Sequence, residues 1–565
     1  MSDTTAAEQW DAVVVGSGPG GLTTAACLGS AGKRVLVLES HDLAGGNTQV
    51  FRRHHGDDWY EFDVGVHYIG ECGPGGLFTA IFDGLGVGDR MNFLPLDPDG
   101  FDTLVYPEFT FRVPASWDRY QDRLVKQFPT DRAGIERALD ILKTIATQSR
   151  AFPGEEREVY DRWAYRPLSE LFNECELSTG ARSVLDHWSG LYAGSPSQTA
   201  TVMHARIIGH YMSGAYYPEG GGQMIPARLM QVIEACGGEV RTLSPVERIL
   251  IADGRATGVQ LENGEQIDAP LVVSNADYRR TMTDMVGAQN LTPATARWAE
   301  EAKMTLGMIC VYVAVDIDIA GPNTNYFVFP DFRTDELYAE LDGGSFPDDE
   351  APFAYVAMAS RKDPDNHELG PDGHTNFQIM TLTPRGYDYW GVDTTPTDGG
   401  RYRRNETYRQ RKEEITKKLL DAAEQVLGPF RDHIVHLETA TPLSHERYTR
   451  SSEGTSYGYM HSPEQTGSDR PAFRTEIDGL WVVGANTVGG HGIAGAMSGG
   501  VFCAGEILDR PLIVEMYMGQ QLVDPASIPP EPDNFDPVEF CRGAKLREKR
   551  ANHASAQQTK RNASR

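Results

Sequence analysis

Residues 11–40 read DAVVVGSGPGGLTTAACLGSAGKRVLVLES. The apolar run at 12–15 is short and unbroken, the pattern of a strand buried on both faces of a parallel sheet. It leads directly into Gly16-Ser17-Gly18-Pro19-Gly20-Gly21. Gly16 allows a tight turn, Gly18 lets the backbone approach a pyrophosphate, and Gly21 lets the next helix lie close to the strand. Ala25, Ala26 and Gly29 line that helix, and its N-terminus offers free N–H groups to phosphate oxygens. A second apolar run at 33–38 closes on Glu39, placed to accept a ribose hydroxyl. Glycine triplets alone are common turns. Strand, triplet, helix, strand and acid in series predict a dinucleotide-binding βαβ unit, and with it an α/β fold.

The chain has 565 residues, enough for two or more domains. Its net charge of −28 argues against nucleic acid as a partner. The first ten residues, MSDTTAAEQW, lack the basic and apolar regions of a secretory signal. Seven scattered cysteines, none in CxxC spacing, predict neither a disulfide framework nor a zinc site, and so a reducing cytoplasm. His54-His55 lies in a charged turn and is read as solvated, so no metal is expected. Residues 480–505 carry no charge and are long enough to span a bilayer. Their paired glycines fit a strand, a loop and a small-residue helix better, so no membrane span is expected. The polar, basic tail from Arg542 is expected to be disordered, with contact to an anionic membrane surface as the sharper alternative.

Along the chain, 117–150 reads as helix broken at Pro129, with Ile135, Leu139, Leu142 and Ile145 as a core stripe. Residues 158–214 read as mostly helical. VERILIADGRATGVQL reads as a hairpin turning at Asp253-Gly254. The run at 306–315 reads as a central strand. Residues 413–427 form an amphipathic helix stopped by Gly428-Pro429.

GHGIAG at 490–495 is a second literal GxGxxG, with Glu515 further on. As a separate nicotinamide site it fails, because ANTVG intervenes after the apolar run and too little chain follows. One cofactor held from both ends of the chain fits better. The N-terminal loop takes the pyrophosphate, and the helix starting near Ile493 and Ala494 points its dipole at an isoalloxazine. That combination predicts FAD.

These blocks, with FDVGVHYIG, YYPEGGGQMIPARLMQVIEACGGEV, VVSNAD and GLWVVGANTVGGHGIAGAMSGG, resemble the phytoene desaturase, carotenoid isomerase and retinol saturase superfamily over residues 11–510. The resemblance implies a Rossmann-type FAD-binding domain interleaved with an α+β substrate domain whose sheet is covered by helices. Boundaries follow as 1–75, 215–290 and 430–510 for the first, 76–214 and 291–429 for the second, and 511–565 as a C-terminal extension. It further implies a tunnel for a hydrophobic polyene or isoprenoid, with loose peripheral membrane contact and an unspecified external electron partner. Candidate FAD contacts are Gly16, Ser17, Gly18, Pro19, Gly20, Gly21 and Glu39, then Gly45, Gly46 and Asn47. Val246 joins them through its main chain, with Gly484, Gly492, Ile493 and Ala494 from the C-terminal segment. Asn47-Thr48 stands where carotenoid desaturases often carry Arg-Ala, while EFDVGVHYIG and TPLSHERY are closer to retinol saturases, which reduce an isolated double bond. The expected activity is saturation or desaturation of a carbon–carbon bond. Cis–trans isomerisation, or non-catalytic lipid binding of the GDP-dissociation-inhibitor type, are the alternatives. His67, titrating near neutrality, and His491, at the head of the C-terminal helix, are the candidate proton carriers. Tyr68, Tyr216 and Tyr217 are expected to line the cavity.

Overall fold

The computed structural model describes residues 9–149, 157–393 and 399–550. Five parallel strands form the sheet that the N-terminal motif demands, in the order Glu239–Arg241, Val35–Leu38, Ala12–Val15, Val272–Ser274, Leu480–Val482. Alternate residues serve opposite faces, as the two-residue period of a strand requires. Ala12, Val14, Val35 and Val37 pack with the helices Pro19–Ser30, Met224–Ala235 and Gly492–Leu508. Val13, Val15, Leu36 and Leu38 pack with the hairpin sheet on the other side. In that hairpin Ala252 pairs with Arg255. Asp253 (φ 51°) and Gly254 (φ 75°) form the two-residue turn, both in the left-handed region that such a hairpin needs.

The small residues of the first helix allow close approach to the C-terminal glycine helix. The Thr24 hydroxyl donates to the Gly20 carbonyl at 2.8 Å and reaches that of Gly500 at 3.2 Å. A Cβ on Gly500 would lie 2.6 Å from the Gly20 oxygen, so no side chain fits there. The first helix and the C-terminal glycine helix are thus packed together on one face of the sheet.

The second domain is a seven-stranded sheet in the order Ile434–Ala440, Gly307–Val315, Thr375–Thr383, Ala354–Ala357, Asn325–Val328, Asp102–Val105, Thr110–Val113. The helix Glu406–Leu427 lies across three of its strands. It begins earlier than its apolar pattern suggests because Asn405 caps it, accepting from the Tyr408 N–H at 3.0 Å. The break at Pro129 separates the helices Trp117–Gln127 and Arg132–Gln148.

The expected boundaries shift: helix Leu77–Gly84 with Leu85, Val87 and Met91, and also Ala299 and Met304, expected in the substrate domain, pack into the nucleotide-binding cores. Residues 434–440 were placed with the nucleotide-binding domain, yet they pair antiparallel with Gly307–Val315 and so belong to the second sheet. A half-buried edge strand carries no sequence mark of which sheet it joins. The tail was expected to be disordered from Arg542, but 542–550 are docked. Arg542 pairs with Asp42 and Glu539, and Arg547 with Glu234. The rest of the tail, 551–565, lies outside the described residues. Among the described residues no helix is long and apolar enough to cross a membrane.

Candidate cofactor and substrate site

A single cavity of about 2350 Å³ runs between the two domains. That is more than twice the roughly 1,000 Å³ that bounds sites for one drug-sized ligand. Its nucleotide end is walled by Gly16, Ser17, Gly18, Pro19, Gly20, Glu39, Gly46, Asn47 and Val246. Gly21 and Gly45 lie behind that wall. A Cβ on Gly21 would meet the Gly16 oxygen at 2.4 Å, which is the helix–strand closeness the motif requires. A Cβ on Gly46 would sit 2.9 Å from the Gly18 Cα. The loop after the second strand therefore closes directly against the glycine turn. Asn275, at the end of Val272–Ser274, braces the same turn: its N–H donates to the Val15 carbonyl at 2.8 Å.

Glu39 is 8% exposed and more engaged than the motif alone suggests. One carboxylate oxygen accepts from the Ser17 N–H (3.0 Å) and hydroxyl (2.5 Å), the other from the His41 N–H (2.8 Å) and the Ser40 hydroxyl (3.2 Å). Those four donors fill the carboxylate's capacity. A ribose hydroxyl would take the place of a serine hydroxyl, either of which is free to rotate.

The C-terminal segment enters the same cavity. Gly484, Gly490, His491, Gly492, Ile493 and Ala494 all line it. His491 occupies the N-cap of Gly492–Leu508 in extended conformation, with no side-chain hydrogen bond to the helix. The first N–H groups of that helix are left for a ligand, at the positive end of its dipole. The two glycine motifs therefore build one site.

Beyond the glycines the cavity becomes an aromatic and methionine-lined chamber. Its floor is one register line of the second sheet, Ala440–Cys310–Met380–Tyr355. Tyr312 and Met308, two residues either side of Cys310, project into the same cavity, as strand alternation dictates. Tyr68 and Tyr211 stack with centroids 4.4 Å apart, and Tyr457 lies 4.9 Å from the His491 ring. Tyr68 donates to the fully buried Asp102 at 3.0 Å, which also accepts from Trp188 and Asn325. Of the three tyrosines expected here, Tyr68 lines the cavity, whereas Tyr216 and Tyr217 do not. Strand Ala215–Pro218 pairs instead with Ile69–Gly70 and Phe93–Pro95, and the Tyr217 hydroxyl is given to Asp63.

Both candidate histidines line the cavity, but neither titrates near neutrality. Burial, reinforced by the Lys362 charge, pushes His67 down to about 3. Burial and Arg470 push His491 down to about 4. Both rings are neutral at pH 7, which corrects the expectation that His67 could carry a proton as an imidazolium. Two polar atoms here are buried without a hydrogen-bond partner among the described residues, His67 Nδ1 and the Tyr355 hydroxyl; their rings meet edge-on, with centroids 5.7 Å apart. His491 Nδ1 and His461 Nε2 form a second such pair, rings 4.9 Å apart. Among the described residues no cluster of three or more His, Cys, Asp or Glu side chains is placed to hold a metal.

Sequence reading missed Tyr355, Met380, Cys310 and Asn275. The run at 307–315 does carry a signal, with Met308, Cys310 and Tyr312 alternating against Ile309, Val311 and Val313. An apolar run long enough for a central strand does not show which face meets a ligand.

Comparison with known proteins agrees with this geometry. The all-trans-retinol 13,14-reductase of Danio rerio is 29% identical over 545 residues, covering 90% of this chain and 88% of that protein. A chloroplastic prolycopene isomerase of an Oncidium hybrid is 25% identical over 527 residues, covering 88% and 84%. The crystal structure of an oxidoreductase from Methanosarcina mazei shares the fold, with a TM-score of 0.61 at 18% identity over 88% of this chain and all of that one. The model of the flavin-containing amine oxidoreductases matches residues 19–314, more than half the chain, and the glycine cradle and the helix N-terminus suit a flavin. The chain belongs to that family of flavin-dependent oxidoreductases.

Proposed function

We propose that this protein binds FAD and moves hydrogen across a carbon–carbon double bond of an apolar polyene. The observation that carries the reading is the continuity of one cavity from the glycine cradle and Glu39 to the Cys310–Met380–Tyr355 floor. Bound there, the flavin supplies the hydride acceptor or donor. The protein's own residues do the rest. Gly18 and Gly46 admit the pyrophosphate, Glu39 orients the ribose, and the Gly492–Leu508 N-terminus favours negative charge on the ring system. The Tyr68–Tyr211 stack and the methionines enclose the polyene and exclude water. Phe502 and Tyr517, about half exposed, line the cavity at its rim. They give an apolar substrate its way in, and peripheral membrane contact belongs to that side.

A second observation favours an oxygen-bearing polyene over a hydrocarbon. The Tyr355 hydroxyl and His67 Nδ1 face the chamber without a partner, and a buried polar group left unsatisfied costs about 1–3 kcal/mol. An alcohol can accept from one and donate to the other; a hydrocarbon satisfies neither. The test mixes chemically reduced flavoprotein anaerobically with all-trans-retinol, or with the hydrocarbon of the same skeleton, and follows flavin absorbance. Reoxidation with loss of one double bond supports the reading. An isomerised product with no net flavin oxidation would move the assignment to isomerase, and no response to either compound would remove the polyene.

A further inference from the structure

Beyond the glycine helix the chain doubles back across the nucleotide-binding half. The Leu522 N–H donates to the Gly84 carbonyl at 2.7 Å, and Arg90 donates to the carbonyls of Ile528 (3.0 Å) and Pro529 (2.8 Å). Arg228 and Gln231 converge on Glu531. Arg52 clasps Asp536 through both terminal nitrogens, at 2.8 and 3.1 Å. Val523, Ile528, Val538 and Cys541 are buried, so the segment is packed into the core.

Its last pins reach the cofactor cradle. The Cys541 carbonyl accepts from the Ala44 N–H at 2.9 Å, while the Ala44 carbonyl is held by the Gln223 side-chain amide at 2.9 Å. Arg542 pairs with Asp42, and its own carbonyl takes the Thr242 hydroxyl. Asp42 and Ala44 belong to the loop that continues into Gly45, whose N–H donates to the Ser17 hydroxyl at 3.1 Å, and into Gly46 against Gly18. Asp536, Val538, Glu539 and Arg542 themselves line the cavity. Opening the 42–46 loop therefore means breaking bonds to residues that lie far beyond the 19–314 match.

We propose that residues 520–543 are a third component of the cofactor site, a strap that holds the 42–46 loop closed over the dinucleotide and sets its rate of release. The inference rests on the flavin reading above. The loop meets the glycine turn through one hydrogen bond and one backbone contact, and the strap supplies a charge pair and a main-chain bond to its outer side. A ligand seated under the loop leaves only when those bonds break.

The test follows exchange of bound flavin against isotope-labelled FAD in the parent holoprotein, in Arg542→Gln and in Lys545→Gln. Arg542→Gln removes the pin on the loop and should speed exchange roughly tenfold, as loss of one charged hydrogen bond predicts. Lys545→Gln removes the pair of a mostly exposed lysine with Glu239, neither partner in the strap, and should stay within about twofold. A chain ended after Asp533 should lose its flavin on gel filtration; if it does not fold, the two point variants decide. Arg542→Gln exchanging at the parent rate, or Lys545→Gln accelerating equally, would overturn the strap. A parent protein that takes up no flavin at all would instead overturn the flavin reading, and the strap with it.

Discussion

His67→Ala is expected to leave turnover within about tenfold of the parent, although the residue faces the chamber. A positioned acid or base is usually worth about 10²–10⁴ in rate. To act as an acid, His67 has to hold a second proton, and burial pushes its pKa down to about 3. At pH 7 that is about four units of mismatch, so roughly one ring in 10⁴ is charged, a cost of about 5 kcal/mol. The population loss cancels the catalytic gain. Lys362 behaves differently. Burial pushes it down to about 7, against the pull of Asp63 and Asp102, and its ammonium donates to the His67 carbonyl at 2.6 Å. That charge is present below about pH 7 and lost above it, so the loop bearing His67 is held by a charged donor only on the acid side. The assay is stopped-flow reoxidation of reduced flavin by all-trans-retinol across about pH 5.5–8.5, the range in which an ordinary histidine titrates. The rate should decline above about pH 7. That limb should persist in His67→Ala and vanish in Lys362→Met. A fall beyond about 10² in His67→Ala, with the limb abolished, would refute the reasoning and restore His67 as the proton carrier.

Glu39→Ala removes the acceptor of four hydrogen bonds at the ribose end and should weaken FAD by about 1.5–3 kcal/mol, roughly ten- to a hundredfold in Kd; an unchanged titration of the apoprotein contradicts it. Gly46→Ala sets a Cβ 2.9 Å from the Gly18 Cα at a φ of 57°, so it should yield flavin-poor protein, and stoichiometric flavin after gel filtration would show that the cradle is looser than described. Tyr355→Phe should lower the preference for all-trans-retinol over its hydrocarbon counterpart, leaving only the His67 contact, while hydrocarbon affinity stays unchanged; equilibrium dialysis that finds the preference intact assigns the hydroxyl elsewhere. NADPH should form no tight one-to-one complex with the flavin-loaded protein, because both glycine motifs open on a single cavity, and a micromolar calorimetric complex abolished by Gly492→Val with flavin retained would show otherwise.

The nucleotide-binding half was legible because its signals are local. Gly21 answers the Gly16 oxygen within the same βαβ unit, although the space at Gly16, Gly18 and Gly20 is also limited by Asn275 from far along the chain; the Asp253-Gly254 turn is decided by two adjacent residues. Register within the second sheet is decided at long range. Ile434–Ala440 meets Gly307–Val315 across more than a hundred residues of intervening chain, and nothing in its own composition names that partner. The same limit explains the misplaced tyrosines. Tyr216 and Tyr217 sit in a short aromatic run that could face either way, and only pairing with Ile69–Gly70 and Phe93–Pro95 turns them from the cavity.

Charge state was the least legible property of the site. A histidine in a glycine-flanked loop reads as titratable near neutrality, yet the environment of His67 is built by Lys362, Gln378 and Tyr355, from three elements distant in sequence. Desolvation depends on everything packed around a group, so no local window reveals it. The same packing gives the chamber its chemistry. With His67 and His491 held neutral, those two rings offer only neutral donors and acceptors, while the helix N-terminus at Gly492 is the group that would meet negative charge on a bound flavin. In the proposed reading, an aromatic chamber whose two histidines are neutral, meeting a helix N-terminus at its cofactor end, separates two tasks: ring area with the Tyr355 and His67 contacts serves the polyene, and the helix dipole serves the flavin.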